Sequence, residues 1–256
     1  MATPIQVGFL RLKKGSLGTT TFTKSKDGVY RVHEKKVQNP NLFLNHPDLA
    51  RTRENAQNFG TSASSAKLVR ASVSPIIKLH FDSKLVRRLN SLIRKIIKLD
   101  PVSVRGKLIV TPENSRALLG FEMNSSCSLK SVFNTRFHTA LNRLTGEVRI
   151  TIPSFIPTDR IHAPKGTTHY QIIAVAAAID FVNKKNENAN QASALLEWND
   201  NRTEDLTFLI NLTDNYTQPV FIFLGLQFTQ EMPGRSYAVS QYKMNPLSIV
   251  EVYNQF

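Results

Sequence analysis

The sequence predicts an α+β protein, with an N-terminal hairpin and helical module over residues 1–104 and an antiparallel β-sandwich-like domain over 105–256. Three observations carry this: a hairpin turn signal near the start, one strongly amphipathic helix closing the first part, and a run of short β-type segments filling the second. The chain has 256 residues, 41% of them hydrophobic and 15 of them Phe, enough for a packed core.

The first element reads as a hairpin. Thr19 to Lys24 favours a strand, Asp27-Gly28 is a type I′ turn signal, and Val29 to Glu34 returns. Phe22, Tyr30 and Val32 are expected to share a packed face, ringed by Lys24, Lys26, Arg31, Lys35 and Lys36. A lone hairpin is marginal in water, so it must dock on something. After a polar stretch from Gln38 to Pro47, Asp48 is a cap for a short helix that Gly60 should stop. A second helix is expected from Ser62 or Ser64 until Pro75.

Lys84 to Leu99 is the clearest helix. Leu85, Leu89, Leu92, Ile96 and Leu99 recur at steps of four and three, with Val86, Ile93 and Ile97 widening the stripe. Lys84, Arg87, Arg88, Arg94, Lys95 and Lys98 take much of the remainder. Such a helix spans about 22 Å, too short for a sustained coiled coil, and its stripe is expected to pack on a neighbouring helix or subunit. Asp100-Pro101 ends it.

From Arg105 on, strands are expected at 107–110, 118–123, 133–141, 147–152, 169–181, 194–198, 206–212, 220–230 and 247–252. Turns fall at Thr145-Gly146, Pro164 to Gly166, Asn199 to Asn201 and Pro233-Gly234. Val220 to Phe228 is apolar enough to be central, since at an open edge it would invite aggregation. No βαβ rhythm occurs, and several short strands at this spacing indicate a sandwich or barrel.

Charge follows the same division. Residues 1–110 hold 21 basic and 6 acidic side chains, a net of +15, while 111–256 hold 12 and 13, a net of −1. So uneven a field favours an anionic partner, or on the plainer reading keeps the protein in solution. Lys24, Lys26, Arg31, Lys35, Lys36, Lys84, Arg87, Arg88, Arg94, Lys95 and Lys98 are the candidate phosphate contacts for DNA or RNA, without base-sequence readout.

Catalytic and metal chemistry find little support. Gly15-Ser16-Leu17-Gly18 lacks the Gly-Lys-Ser/Thr ending of a phosphate loop. The six histidines form no close pair and Cys127 is the sole cysteine, so no catalytic, cofactor-binding or metal-binding residue is assigned. No standard signal peptide and no membrane span are evident, which predicts a cytoplasmic or particle-associated protein.

The stretches LKKGSLGTTTFTKSKDGVYRV, RTRENAQNFG, IPSFIPTDRIHAPKGTTHY and PVFIFLGLQF together resemble a family of uncharacterised basic proteins of about this length in Bacteroidota. The family's Gly-x-Ile/Leu-Gly opening is matched by Gly15 to Gly18, and its Arg-Thr-Arg-Glu-Asn segment by Arg51 to Asn55. It departs at Thr23 before Lys24, where the family commonly has Tyr. The resemblance implies the domain plan and no mechanism. The first functional expectation is a non-enzymatic structural or assembly protein acting through self-association or partner docking. The alternative is sequence-nonspecific nucleic-acid binding through the basic module, and an enzyme with a site in the β domain ranks third.

Overall fold

The structure is a computed structural model that describes residues 5–7, 10–12, 15–25, 28–34, 40–80, 82–214, 216–233, 235–239 and 243–254. Two compact units divide between Arg53 and Glu54.

In the first unit, β1 (Ile5–Val7) pairs antiparallel with β2 (Leu10–Leu12), and β3 (Gly15–Leu17), β4 (Thr20–Lys24) and β5 (Tyr30–Glu34) form a three-stranded antiparallel sheet. The expected hairpin is β4–β5, with Phe22 opposite Val32 and Lys24 opposite Tyr30. Gly28 turns the chain at φ +87°; Asp27 lies outside the described residues. Phe22 is buried and Tyr30 half-buried, but Val32 is exposed, so the shared apolar face is only partial. Next come α1 (Pro40–Asn45) and a 3-10 turn, Pro47–Leu49. His46 caps that turn, its Nδ1 accepting from Asp48 N at 3.3 Å, and Asp48, the expected helix cap, lies inside the turn, two residues before the helix that follows. The Arg53 guanidinium donates to the Phe43 and His46 carbonyls, each at 2.8 Å.

A single helix, α2 (Ala50–Ser72), replaces the two expected short ones, and Gly60 does not stop it. A glycine costs a helix interior only about 1 kcal/mol. The buried face of α2 is made of small residues, Ser62, Ser65, Ala66, Val69 and Ser72, which allow close approach to its neighbours. The Ser62 and Ser72 hydroxyls donate to the Phe59 and Leu68 carbonyls, so these two buried hydroxyls are satisfied within the helix. The expected helix at 84–99 is α3 (Leu85–Ile96), continued by a 3-10 turn, Ile97–Leu99. Asp100 closes it by accepting from Val102, Ser103 and Ile109 N–H groups.

The remaining elements are α4 (Pro112–Ser115), α5 (Leu129–Val132), β6 (His138–Asn142), β7 (Glu147–Ile152), α6 (Pro157–Arg160), β8 (His169–Asp180), β9 (Lys185–Ala192), β10 (Leu196–Glu197), β11 (Leu206–Asn211), β12 (Val220–Met232), β13 (Arg235–Ala238) and β14 (Leu247–Tyr253). β8 and β12 form the centre of an antiparallel sheet. β9 and β10 pair with the free side of β8, and β14 and β13 with the free side of β12. A second antiparallel sheet runs β11–β7–β6.

Both faces of the central sheet are covered, which explains its unbroken apolar runs. On one face Ile172, Ala174, Ala176, Ile222 and Leu224 pack with Val148, Ile150, Ile152, Phe208 and Ile210 of the second sheet, as a sandwich requires. On the other, Ile173, Val175, Ala177, Phe221 and Phe223 pack with Ala66, Val69, Leu85, Leu89, Ile93 and Ile96. The α3 stripe therefore shares one core with Ala66 and Val69 of the neighbouring helix α2, as expected, and with the central sheet, which was not expected. Residues 54–104, grouped with the hairpin in the sequence, share this core with the sheet, and the compact units divide fifty residues earlier.

The strand at 220–230 is central, as its apolarity required. Two expected strands are absent: 107–110 is irregular, and 118–123 contains a 3-10 turn and one isolated bridge, Glu122 to Ser248. The segment at 133–141 shortens to β6. The short strands β1, β2, β3 and β13 were not expected, nor was the longer β9. Its sequence KNENANQA is polar because Gln191 and Glu187 side chains accept from the Leu209 and Thr213 N–H groups across the gap to β11.

Candidate nucleic-acid interface

The amphipathic sequence of α3 fixes where its cations point. With Leu85, Leu89, Ile93 and Ile96 buried against the sheet, Lys84, Arg87, Arg94, Lys95 and Lys98 are exposed. Arg87, Arg94 and Lys98 are seven and four residues apart, so at 3.6 residues per turn they fall close to one line, about 16 Å long. That is the span of roughly five base-pair steps of duplex. No acidic residue interrupts 85–99, and none of these five side chains has an ion-pair or hydrogen-bond partner among the described residues.

Arg88 is different. Its Nη2 donates to Asp82 Oδ2 and to the Glu122 carbonyl, each at 2.8 Å, and to the Met123 carbonyl at 3.1 Å. Its guanidinium also lies 5.0 Å from the centre of the Phe121 ring. These contacts engage Arg88 within the fold and remove it from the solvent-facing set. Burial works to raise the Asp82 carboxyl, but hydrogen bonds from Ser125, Arg88 and Lys84 hold it down at about 2. Burial pushes the neighbouring Glu122 up to about 7, against the Leu129 N–H and the charge of Arg88. Burial, with the Glu122 charge, also raises the Cys127 thiol to about 11, leaving it an inert packed side chain.

Beside the C-terminal half of α3, Asn55 and Asn58 of α2, Arg94, Ile97, Lys98, Arg105 and Leu108 line a cleft of about 390 Å³. Two contacts hold the 105–108 segment there: Asn58 Oδ1 accepts from Leu108 N at 3.3 Å, and Arg105 pairs with Glu54 at 3.5 Å. Gly106 permits the approach. It sits at φ +89°, and a Cβ on it would come within 3.3 Å of Glu54 Cα. The cleft thus gathers three cations and two amide side chains around one open space.

Of the sequence candidates, Arg94 and Lys98 are brought together in this cleft, with Lys84, Arg87 and Lys95 exposed on the same helix. Lys24 and Arg31 belong to the other unit, on β4 and β5. Lys24 lies 5.0 Å from the centre of the Tyr30 ring, an aromatic face already occupied within the hairpin. Lys26, Lys35 and Lys36 lie outside the described residues. Asn55, Asn58 and Arg105 were not among the candidates, since no charge run or motif marks them.

Among the described residues, no group of three or more His, Cys, Asp or Glu side chains is placed to hold a metal ion, and no helix is long and apolar enough to cross a membrane. Comparison with known proteins finds no matching family model, no similar curated protein and no similar solved structure.

Proposed function

We propose that the chain binds nucleic acid without sequence preference, through phosphate contacts made by the exposed face of α3 and the cleft beside it. The observation that carries this reading is the line Arg87, Arg94 and Lys98, three unpaired cations on a rigid helix, with Arg105 converging on its end. Unpaired cations on a packed scaffold can neutralise backbone phosphates with no side-chain partner to displace. The absence of a groove-reading motif agrees with affinity that does not depend on sequence. The test is fluorescence anisotropy of the full chain with random-sequence duplex and single-stranded DNA at low salt. R87Q/R94Q/K98Q should weaken binding to both by at least tenfold and leave thermal unfolding unchanged. Equal binding by the variant would reject this face as the interface.

A second reading, self-association or docking of a protein partner, is favoured by α1. Leu42, Phe43 and Leu44 are consecutive and all exposed. Light scattering of the full chain tests it: a mass above the monomer that falls in L42S/L44S supports the reading, and a monomer across the micromolar range sinks it.

A further inference from the structure

We infer that the cleft framed by Arg136, Arg160 and Arg202 is a binding site for a small phosphorylated ligand carrying at least two negative charges. The cleft has a volume of about 590 Å³ and is lined also by Asn134, Ser154 and Asp159. Its arginines come from three separate connections between strands, Arg160 at the end of α6, that the topology brings to one place. In the second sheet His138 faces Thr151 and Leu206 faces Ile152, so the start of β6, the end of β7 and the start of β11 share one edge. The connections at that edge, α6 among them, are the ones that supply Arg136, Arg160 and Arg202.

Hydrogen bonds lace these connections together. Asn134 N donates to the Arg160 carbonyl at 2.9 Å, and His162 N to the Val132 carbonyl at 2.9 Å. Ser154 N donates to Asp205 Oδ1 at 2.7 Å, Phe155 N to Thr203 Oγ1 at 3.1 Å, and Thr203 N to the Phe155 carbonyl at 2.8 Å. The backbone beneath the arginines is therefore fixed before any ligand arrives, which lowers the ordering cost of binding.

The side chains themselves are uncommitted. Arg136 and Arg160 have no ion-pair or side-chain hydrogen-bond partner among the described residues, and Arg202 makes only 3.4 Å contacts to Ser154. The lining holds three arginines and one carboxylate, Asp159. Three arginines and no lysine suit a ligand whose oxygens accept paired, in-plane hydrogen bonds, as phosphate does. The volume lies within the roughly 300–1,000 Å³ of small-molecule sites and exceeds what one inorganic phosphate fills. Phe155 beneath this cleft packs between the two sheets, whereas Ile97 beside α3 packs on the opposite face of the central sheet. The two sites share no residue and stand or fall separately.

The test is calorimetric titration of the full chain with pyrophosphate, and with citrate at matched ionic strength. Saturable binding of one pyrophosphate, several-fold tighter than citrate, is expected. R136Q/R160Q/R202Q should weaken it by roughly tenfold or more, as loss of charged hydrogen bonds implies. D159N should bind at least as well as the native chain, and R87Q/R94Q/K98Q should match it within about twofold, as expected of a site that does not use α3. If the triple cleft variant unfolds, R160K and R202K keep the charge and lose the fork, and each should weaken binding several-fold. No saturable binding, binding that survives the cleft variants, binding lost with the α3 variant, or citrate bound as tightly as pyrophosphate would each overturn the inference.

Discussion

Arg88 and Asp82 meet at 2.8 Å at the N-terminal end of α3, and this pair separates one structural cation from the five exposed ones on the same helix. Both side chains are largely withdrawn from solvent, 27% and 10% exposed, so the contact is shielded from salt more than a surface pair would be. The same guanidinium nitrogen ties α3 to the 122–123 backbone, which runs beside β14.

Arg88→Gln should therefore destabilise the fold by about 2 kcal/mol, the usual scale for lost charged hydrogen bonds. Arg87→Gln, one residue away and exposed, should change stability by less than about 0.5 kcal/mol. Urea denaturation of the two variants checks the contrast. In DNA binding the order should reverse, with Arg87→Gln the more harmful of the two when compared at equal folded fraction.

The contrast also marks how far the sequence could be read. The α3 stripe and the apolar runs of β8 and β12 were legible because burial imposes a hydrophobic pattern on them. The long α2 was not, because Ser62, Ser65 and Ser72 fill its buried face and carry no hydrophobic period. β9 was missed for a related reason: its Gln191 and Glu187 accept from the backbone N–H groups of Leu209 in β11 and of Thr213 just beyond it, and carry no hydrophobic period. In the candidate interface, Arg94 and Lys98 could be found from charge and spacing. Asn55, Asn58 and Arg105 required the tertiary approach at Gly106. Nothing local distinguishes Arg88 from Arg87, since the carbonyls that engage Arg88 lie over thirty residues away.

Stability should depend on pH in two opposite ways. Asp82 and Asp100 are both held at about 2, below their ordinary 3.8, so they stabilise the fold above pH 4 and that contribution is lost as pH falls toward 2. Glu122 is raised from 4.5 to about 7, so its contribution is present below pH 4.5 and is lost as pH rises toward 7. Buried His80, held down at about 4 from its ordinary 6.5, works the other way, its contribution growing as pH rises from 4 to 6.5. Glu122→Gln should therefore make stability rise more steeply between about pH 4.5 and 7 while leaving the acid limb in place. Denaturation midpoints across pH 3 to 8 read both limbs. A profile between pH 5 and 7 that the variant leaves unaltered would contradict the assignment to Glu122.

Two glycines should respond to alanine in opposite directions. At Gly146, φ is +71° and a Cβ would lie 2.1 Å from the Leu212 carbonyl oxygen, with backbone on every near side. Gly146→Ala must displace the β11 end, and should cost more than about 2 kcal/mol. Gly60 stands mid-helix in α2 with open space around its Cβ position, and Gly60→Ala should stabilise by about 0.5–1 kcal/mol. Thermal unfolding of both variants checks the signs.

The central claim is that α3 presents its cations to nucleic-acid phosphates, and the salt dependence of duplex binding tests it most directly. Each phosphate neutralised steepens the plot of log affinity against log salt by about 0.9. The native chain should show a steep negative slope, and R87Q/R94Q/K98Q a slope shallower by about 2 to 3. A native slope near zero, or the same slope in both proteins, would contradict the account.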